Sequence, residues 1–182
     1  MKLNNIIILS LVILLVLFSL YIFLPKNITS ETKEVALNDN DLKELKLSVA
    51  NGCIKEKYQL EQHSSLSEYI YCNYTANNLQ DTWIFVEIKK FRDLNDLENS
   101  YQYESSHLFG SKGLLSENEF GDKSKFRVNA EDDYGAEFNP PGIYYYHLWI
   151  IKGYYMIHIT SKGSIDADKT IKDMGQKILL KI

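Results

Sequence analysis

Residues Ile6 to Leu24 read IIILSLVILLVLFSLYIFL, 19 positions without a charge, broken only by Ser10 and Ser19. An α-helix rises 1.5 Å per residue, so this run nearly matches a hydrocarbon core of about 30 Å. Such a run serves either as an anchor that stays or as a signal peptide that is removed. Signal peptides carry a shorter apolar stretch, roughly 7 to 15 residues, ahead of small residues at a cleavage site. Here Leu24, Pro25, Lys26 and Asn27 close the run, and no cysteine stands nearby to accept a lipid. The reading is an uncleaved transmembrane helix over 1–26, a polar stalk over 27–37 and a soluble domain over 38–182. A pilin-type start is set aside, because Met1 to Leu9 holds neither a cleavage motif nor a glutamate.

Orientation rests on slighter features. Lys2 and the α-amino group precede the span, and Lys26 and Lys33 follow it beside Glu31 and Glu34, so the basic bias is weak. The short leading flank favours the N-terminus inside, which places the domain outside the cytoplasm. Two cysteines, Cys53 and Cys72, form an even set able to pair in an oxidising compartment, although two buried thiols read equally well. Asn27-Ile28-Thr29 and Asn73-Tyr74-Thr75 are glycosylation sequons, making Asn27 and Asn73 candidate acceptors.

With 45% hydrophobic and 24% charged residues, the chain is neither wholly disordered nor a many-pass membrane protein. The formal charge of −4 argues against nucleic acid, which requires clustered Lys and Arg. The one close basic group, Lys89, Lys90 and Arg92, is flanked by Glu87 and Asp93.

Periodicity supplies the elements. Asn38 to Asp41 offers N-caps for a short helix from Asp41 to Ala50, stopped at Asn51-Gly52. Tyr69 to Thr75 and Thr82 to Phe91 read as strands. In the second, Ile84, Val86 and Ile88 take one face, and Trp83, Phe85, Glu87 and Lys89 the other. Asp93 caps a second helix bearing Leu94, Leu97, Tyr101 and Leu108, and Gly110 ends it. Irregular strands follow around Gly121-Asp122. Ile143 to Ile151 and Tyr154 to Ser161 flank Lys152-Gly153 as a β-hairpin. Ser164 starts a last helix with a buried stripe of Ala167, Ile171, Met174 and Ile178. This order predicts an α+β domain: an antiparallel sheet with helices packed on one face, preceded by the transmembrane helix.

The helix after TWIFVEIKKF, the Gly121-Asp122 turn, the Lys152-Gly153 hairpin and the closing amphipathic helix give the stretch from Leu42 to Ile182 a recognisable pattern. That pattern resembles the small secreted or lipoprotein-type α+β domains of prokaryotic cell envelopes, some of them similar to the PsbP type. The resemblance implies a binding or structural module and carries over no functional residue.

Candidate chemistry is sparse. If Lys152-Gly153 is a two-residue loop, His147 faces His158 on one side of the hairpin, a spacing that suits two imidazoles on one metal ion. A bulged turn would instead put them on opposite faces, and the sequence shows no third ligand nearby. Either way Tyr146, Leu148, Ile150, Tyr155, Ile157 and Ile159 form the core face. The acidic loop with Glu131, Asp132, Asp133 and Glu137 lacks the EF-hand spacing. No G-x-S-x-G, no phosphate-binding loop and no cysteine signature of a nucleophile occurs, so neither an enzyme nor a cofactor is expected. Trp83, Phe85, Trp149 and Met156 share the second face of the sheet. Either another part of the chain covers them or they form a binding face. The expected role is an extracytoplasmic, membrane-anchored module that binds an envelope protein or surface polymer. A metal-handling protein or enzyme using the hairpin histidines is the alternative.

Overall fold

The protein, seen in a computed structural model, is described for residues 32–55, 65–107, 113–129 and 142–182. Its centre is the hairpin that the sequence announces, β6 (Tyr144–Lys152) and β7 (Tyr155–Gly163). These strands are rich in β-branched and aromatic residues, and both faces of β6 are almost wholly buried. A strand apolar on both faces demands cover on both. The rest of the chain supplies it.

Seven strands form one fully antiparallel sheet in the order β1-β2-β3-β7-β6-β5-β4. β1 is Leu47–Lys55, β2 Leu66–Ala76, β3 Trp83–Phe91, β4 Leu114–Glu117 and β5 Lys123–Asn129. Two short helices lead in, α1 (Thr32–Val35) and α2 (Asp39–Glu44). α3 (Leu94–His107) lies between β3 and β4, and α4 (Asp168–Leu179) closes the chain after a 3-10 turn at Ile165–Ala167.

The first face of the sheet carries the main core. Ile84, Val86 and Ile88 of β3, Leu148 and Ile150 of β6, and Ile157 and Ile159 of β7 pack there against Ala167, Ile171, Met174 and Ile178. The stripe read in α4 is fully buried, and Ser164 caps the turn before it by accepting from the Asp166 amide. Val35 and Leu42 of α1 and α2 join the same core.

The second face has its own smaller cluster, Leu97 and Tyr101 of α3 on Trp149, Ile151, Met156, Leu66 and Phe91. This overturns the α+β arrangement with helices on one face. The molecule is dominated by a seven-stranded antiparallel sheet, and its helices are divided between the two faces. The reason is that Trp149 and Met156 face away from α4 yet must leave water, and Leu97 and Tyr101 of α3 cover them.

Further corrections are local. The first helix ends before Lys46, which takes a left-handed φ of 55°, and Leu47 to Ala50 belong to β1. The anticipated stop at Asn51-Gly52 is instead a β-bulge, where the pairing with β2 shifts between Val49 and Gly52. Among the described residues no helix is long and apolar enough to cross a membrane. The 1–26 segment, Asn27 and the acidic loop at 131–137 lie outside the described residues.

Candidate functional site

The hairpin register decides what the histidines do. Lys152 pairs with Tyr155, so Gly153 and Tyr154 form the loop, and Gly153 takes φ 54°. Trp149 therefore faces His158 and His147 faces Thr160. The histidines share the second face, diagonal rather than directly opposed. His147 Nδ1 lies 3.2 Å from His158 Nε2. Trp149 packs against both, its ring near-parallel to each at centroid distances of 5.2 and 4.7 Å.

Neighbouring strands bring in what the hairpin lacks. β3 pairs with β7 so that Glu87 faces His158, and β2 pairs with β3 so that Tyr71 faces Glu87. His158 Nδ1 sits 3.2 Å from Glu87 Oε2, and the Tyr69 hydroxyl donates to Glu87 Oε1. An ionised carboxylate only accepts, so the His158 Nδ1–H is directed at Glu87. Its Nε2 then accepts from the His147 Nδ1–H or from the Thr160 hydroxyl 3.0 Å away. The result is a continuous polar line, Tyr69–Glu87–His158–His147, set into an otherwise apolar face.

α3 forms the roof. Lys89 Nζ donates to Glu104 Oε1 at 2.6 Å, joining β3 to the helix. Glu87, Glu104 and His158 each offer a ligand atom, and the three atoms lie within 4.8 Å of one another. A cleft of about 500 Å³, lined by Tyr69, Glu87, Lys89, Asn99, Ser100, Tyr103 and Glu104, opens between α3 and the sheet.

The electrostatics follow from burial. Burial alone would raise the Glu87 pKa. The hydrogen bond from His158, the charge of Lys89 and the Tyr69 hydroxyl outweigh it and hold the carboxyl down at about 2. His147 is only 7% exposed. Burial first, and then the neighbouring His158, push its pKa down to about 3, so its imidazole is neutral at ordinary pH.

The line Thr160–His158–Glu87 has the connectivity of a nucleophile, base and carboxylate. Acyl transfer also needs donors aimed at the developing oxyanion. β7 lies between β3 and β6, so its backbone N–H groups are committed to the ladders on either side and none is left to stabilise an oxyanion. His158 Nε2 is also shared between Thr160 and His147.

The four residues of the anticipated binding face divide. Trp149 and Met156 are buried beneath α3, as ordinary packing. Phe85 is half-buried and Trp83 is 46% exposed, beyond the reach of the helix. Tyr71 stacks on Phe85 at 6.1 Å and extends this open row. Cys53 and Cys72 are bonded as a direct cross-strand pair between β1 and β2. Asn73 lies inside paired β2 rather than in a loop. Glu104 and Tyr69 were not singled out from the sequence, and Glu87 was read only as part of the sheet's second face. The one signal was a charged residue in mid-strand at a position alternating with Phe85, and only strand pairing shows that it meets a histidine.

No family model matches the chain, and no curated protein matches it. Among solved structures, it is similar to the extracellular domain of PknH from Mycobacterium tuberculosis. That likeness has 9% identity and a TM-score of 0.49, and it covers 84% of this chain and 96% of the other.

Proposed function

We propose that this chain is an extracytoplasmic binding module that recognises an envelope polymer through the open part of the sheet's second face. The observation that carries the reading is the row of half-buried Tyr71 and Phe85 with exposed Trp83, on the same face of the sheet as Glu87. Flat rings beside polar groups suit a ligand with an apolar face and hydroxyl edges, as a sugar ring has. Thr160 and Lys162 of β7 lie on this face opposite Phe85 and Trp83 and supply polar partners. The Cys53–Cys72 bond supports an oxidising compartment, where such bonds persist. Among the described residues the β7 backbone N–H groups around His158 are committed to the sheet, which favours binding over catalysis.

The test is titration of the purified chain with the polysaccharide fraction of the producing cell's envelope, read by tryptophan fluorescence and by sedimentation with the polymer. Trp83→Ala and Phe85→Ala should each weaken binding about tenfold, the order of one lost aromatic contact of ~1.4 kcal/mol, with an unchanged melting temperature. Equal binding by wild type and Trp83→Ala sinks the proposal. Binding abolished by protease treatment of the fraction, but not by periodate, assigns the face to a protein partner instead.

A further inference from the structure

We propose that Glu87, Glu104 and His158 form a binding site for a divalent transition-metal ion, with Zn²⁺ as the fitting probe. The inference stands apart from the aromatic row and does not depend on the polymer reading.

The donor set comes first. Two carboxylates and one imidazole, each with a ligand atom within 4.8 Å of the others, match the side chains that hold Zn²⁺ and its neighbours. The imidazole argues against Ca²⁺ and Mg²⁺, which prefer oxygen alone. These donors come from β3, β7 and α3, so the folded chain assembles the site.

The surroundings of His158 form a second observation. A metal-bound histidine is normally oriented by a hydrogen bond from its other ring nitrogen. Here His158 Nε2 lies 3.2 Å from His147 Nδ1 and 3.0 Å from Thr160 Oγ1. In the metal-free chain the His158 Nδ1–H points at Glu87; an entering ion replaces that proton, and the tautomer protonated at Nε2, held by those two groups, then presents the Nδ1 lone pair to the ion beside Glu87 and Glu104. Trp149 fixes the ring from the side. Glu87 is likewise oriented, its Oε1 bonded by Tyr69 while Oε2 faces His158. His147 is thus a positioning residue on the closed side of His158. The carboxylates gather on the side facing the cleft, which gives an ion its path from solvent.

One group competes. Lys89 Nζ bonds Glu104 Oε1 at 2.6 Å, and an ion entering the site must displace that ammonium. The lysine stem is flexible and the cleft is open beside it, so Lys89 can swing outward. Three protein ligands leave at least one coordination position for water or a ligand group from the cleft.

The experiment is equilibrium dialysis of the full-length chain against Zn²⁺, with metal counted by mass spectrometry and competition by excess Ca²⁺. Wild type should retain one ion per chain in the presence of Ca²⁺. Glu104→Gln should weaken retention at least tenfold, and being on a partly exposed helix face it should leave the circular dichroism spectrum unchanged. His158→Ala should abolish retention. His147→Phe should weaken retention less than His158→Ala does. Lys89→Ala should tighten it several-fold, because the competing ammonium is gone. Cu²⁺ placed at His158 should quench the buried Trp149, read in a Trp83→Phe background, and Glu104→Gln should relieve the quenching. Absence of stoichiometric Zn²⁺, displacement by Ca²⁺, or retention indifferent to Glu104→Gln and Lys89→Ala would overturn the assignment.

Discussion

Glu87 and His147 are single residues whose ionisation is set by what the sheet brings next to them. Both depress their pKa on folding, and both act in the same direction. The unfolded chain protonates His147 below about 6.5, whereas the folded one resists to about 3. In that window the unfolded state binds more protons, so stability falls as the pH falls. Glu87 extends the loss, since its carboxyl protonates near 4.5 when unfolded and near 2 when folded. Its ionised contacts stabilise the fold fully above 4.5 and are lost as pH drops towards 2. Each residue contributes on the order of a few kcal/mol, at ~1.4 kcal/mol per pKa unit. Urea unfolding between pH 7 and 3 should show this decline, and His147→Phe should flatten it between pH 6.5 and 4.5. An unaltered slope in that variant would place the acid sensitivity elsewhere.

At the scale of elements, α3 decides how much of the second face is open. It is held by few apolar side chains, Leu97 and Tyr101 chiefly, and Asp93 caps it by accepting from the Asn95 and Asp96 amides. Leu97→Ala should cost about 2 to 4 kcal/mol through the cavity it leaves. It should also let water reach Trp149, seen as a red shift in emission from a Trp83→Phe background. A blue-shifted, unchanged spectrum would show that α3 is not what covers Trp149. Of the stripe read in this helix, Leu97 and Tyr101 are buried while Leu94 is exposed, and Leu108 lies outside the described residues. Which face of the sheet the helix would take was not legible in its sequence, because that depends on strands distant in the chain.

For the whole molecule, the Cys53–Cys72 bond fastens edge strand β1 to β2 across a sequence separation of 19 residues. Closing a loop of that length restricts the unfolded chain and stabilises the fold by about 3 kcal/mol. Reduction, or the Cys53→Ala/Cys72→Ala double change, should lower the unfolding midpoint accordingly while the β6–β7 core stays folded. A midpoint insensitive to reductant would show that the bond adds nothing to stability. Reduction should leave the Glu87 cleft unchanged, since it lies towards β7 and α3.

Local pattern determined the strands β2, β3, β6 and β7, the apolar face those strands share with α4, and the existence of the two long helices, because period and capping are written in neighbouring residues. The same pattern put His147 and His158 on a hairpin but left their relation open, since one residue of turn geometry changes the register and thereby the face. Tertiary structure alone decided that Gly153 and Tyr154 make the turn and that α3 covers Trp149. It also brought Glu87 and Glu104 to His158 from positions 71 and 54 residues away in the chain. Those contacts arise from strand order in the sheet, and strand order is fixed by burying both faces of β6 and β7 at once, a condition that no single stretch of sequence states.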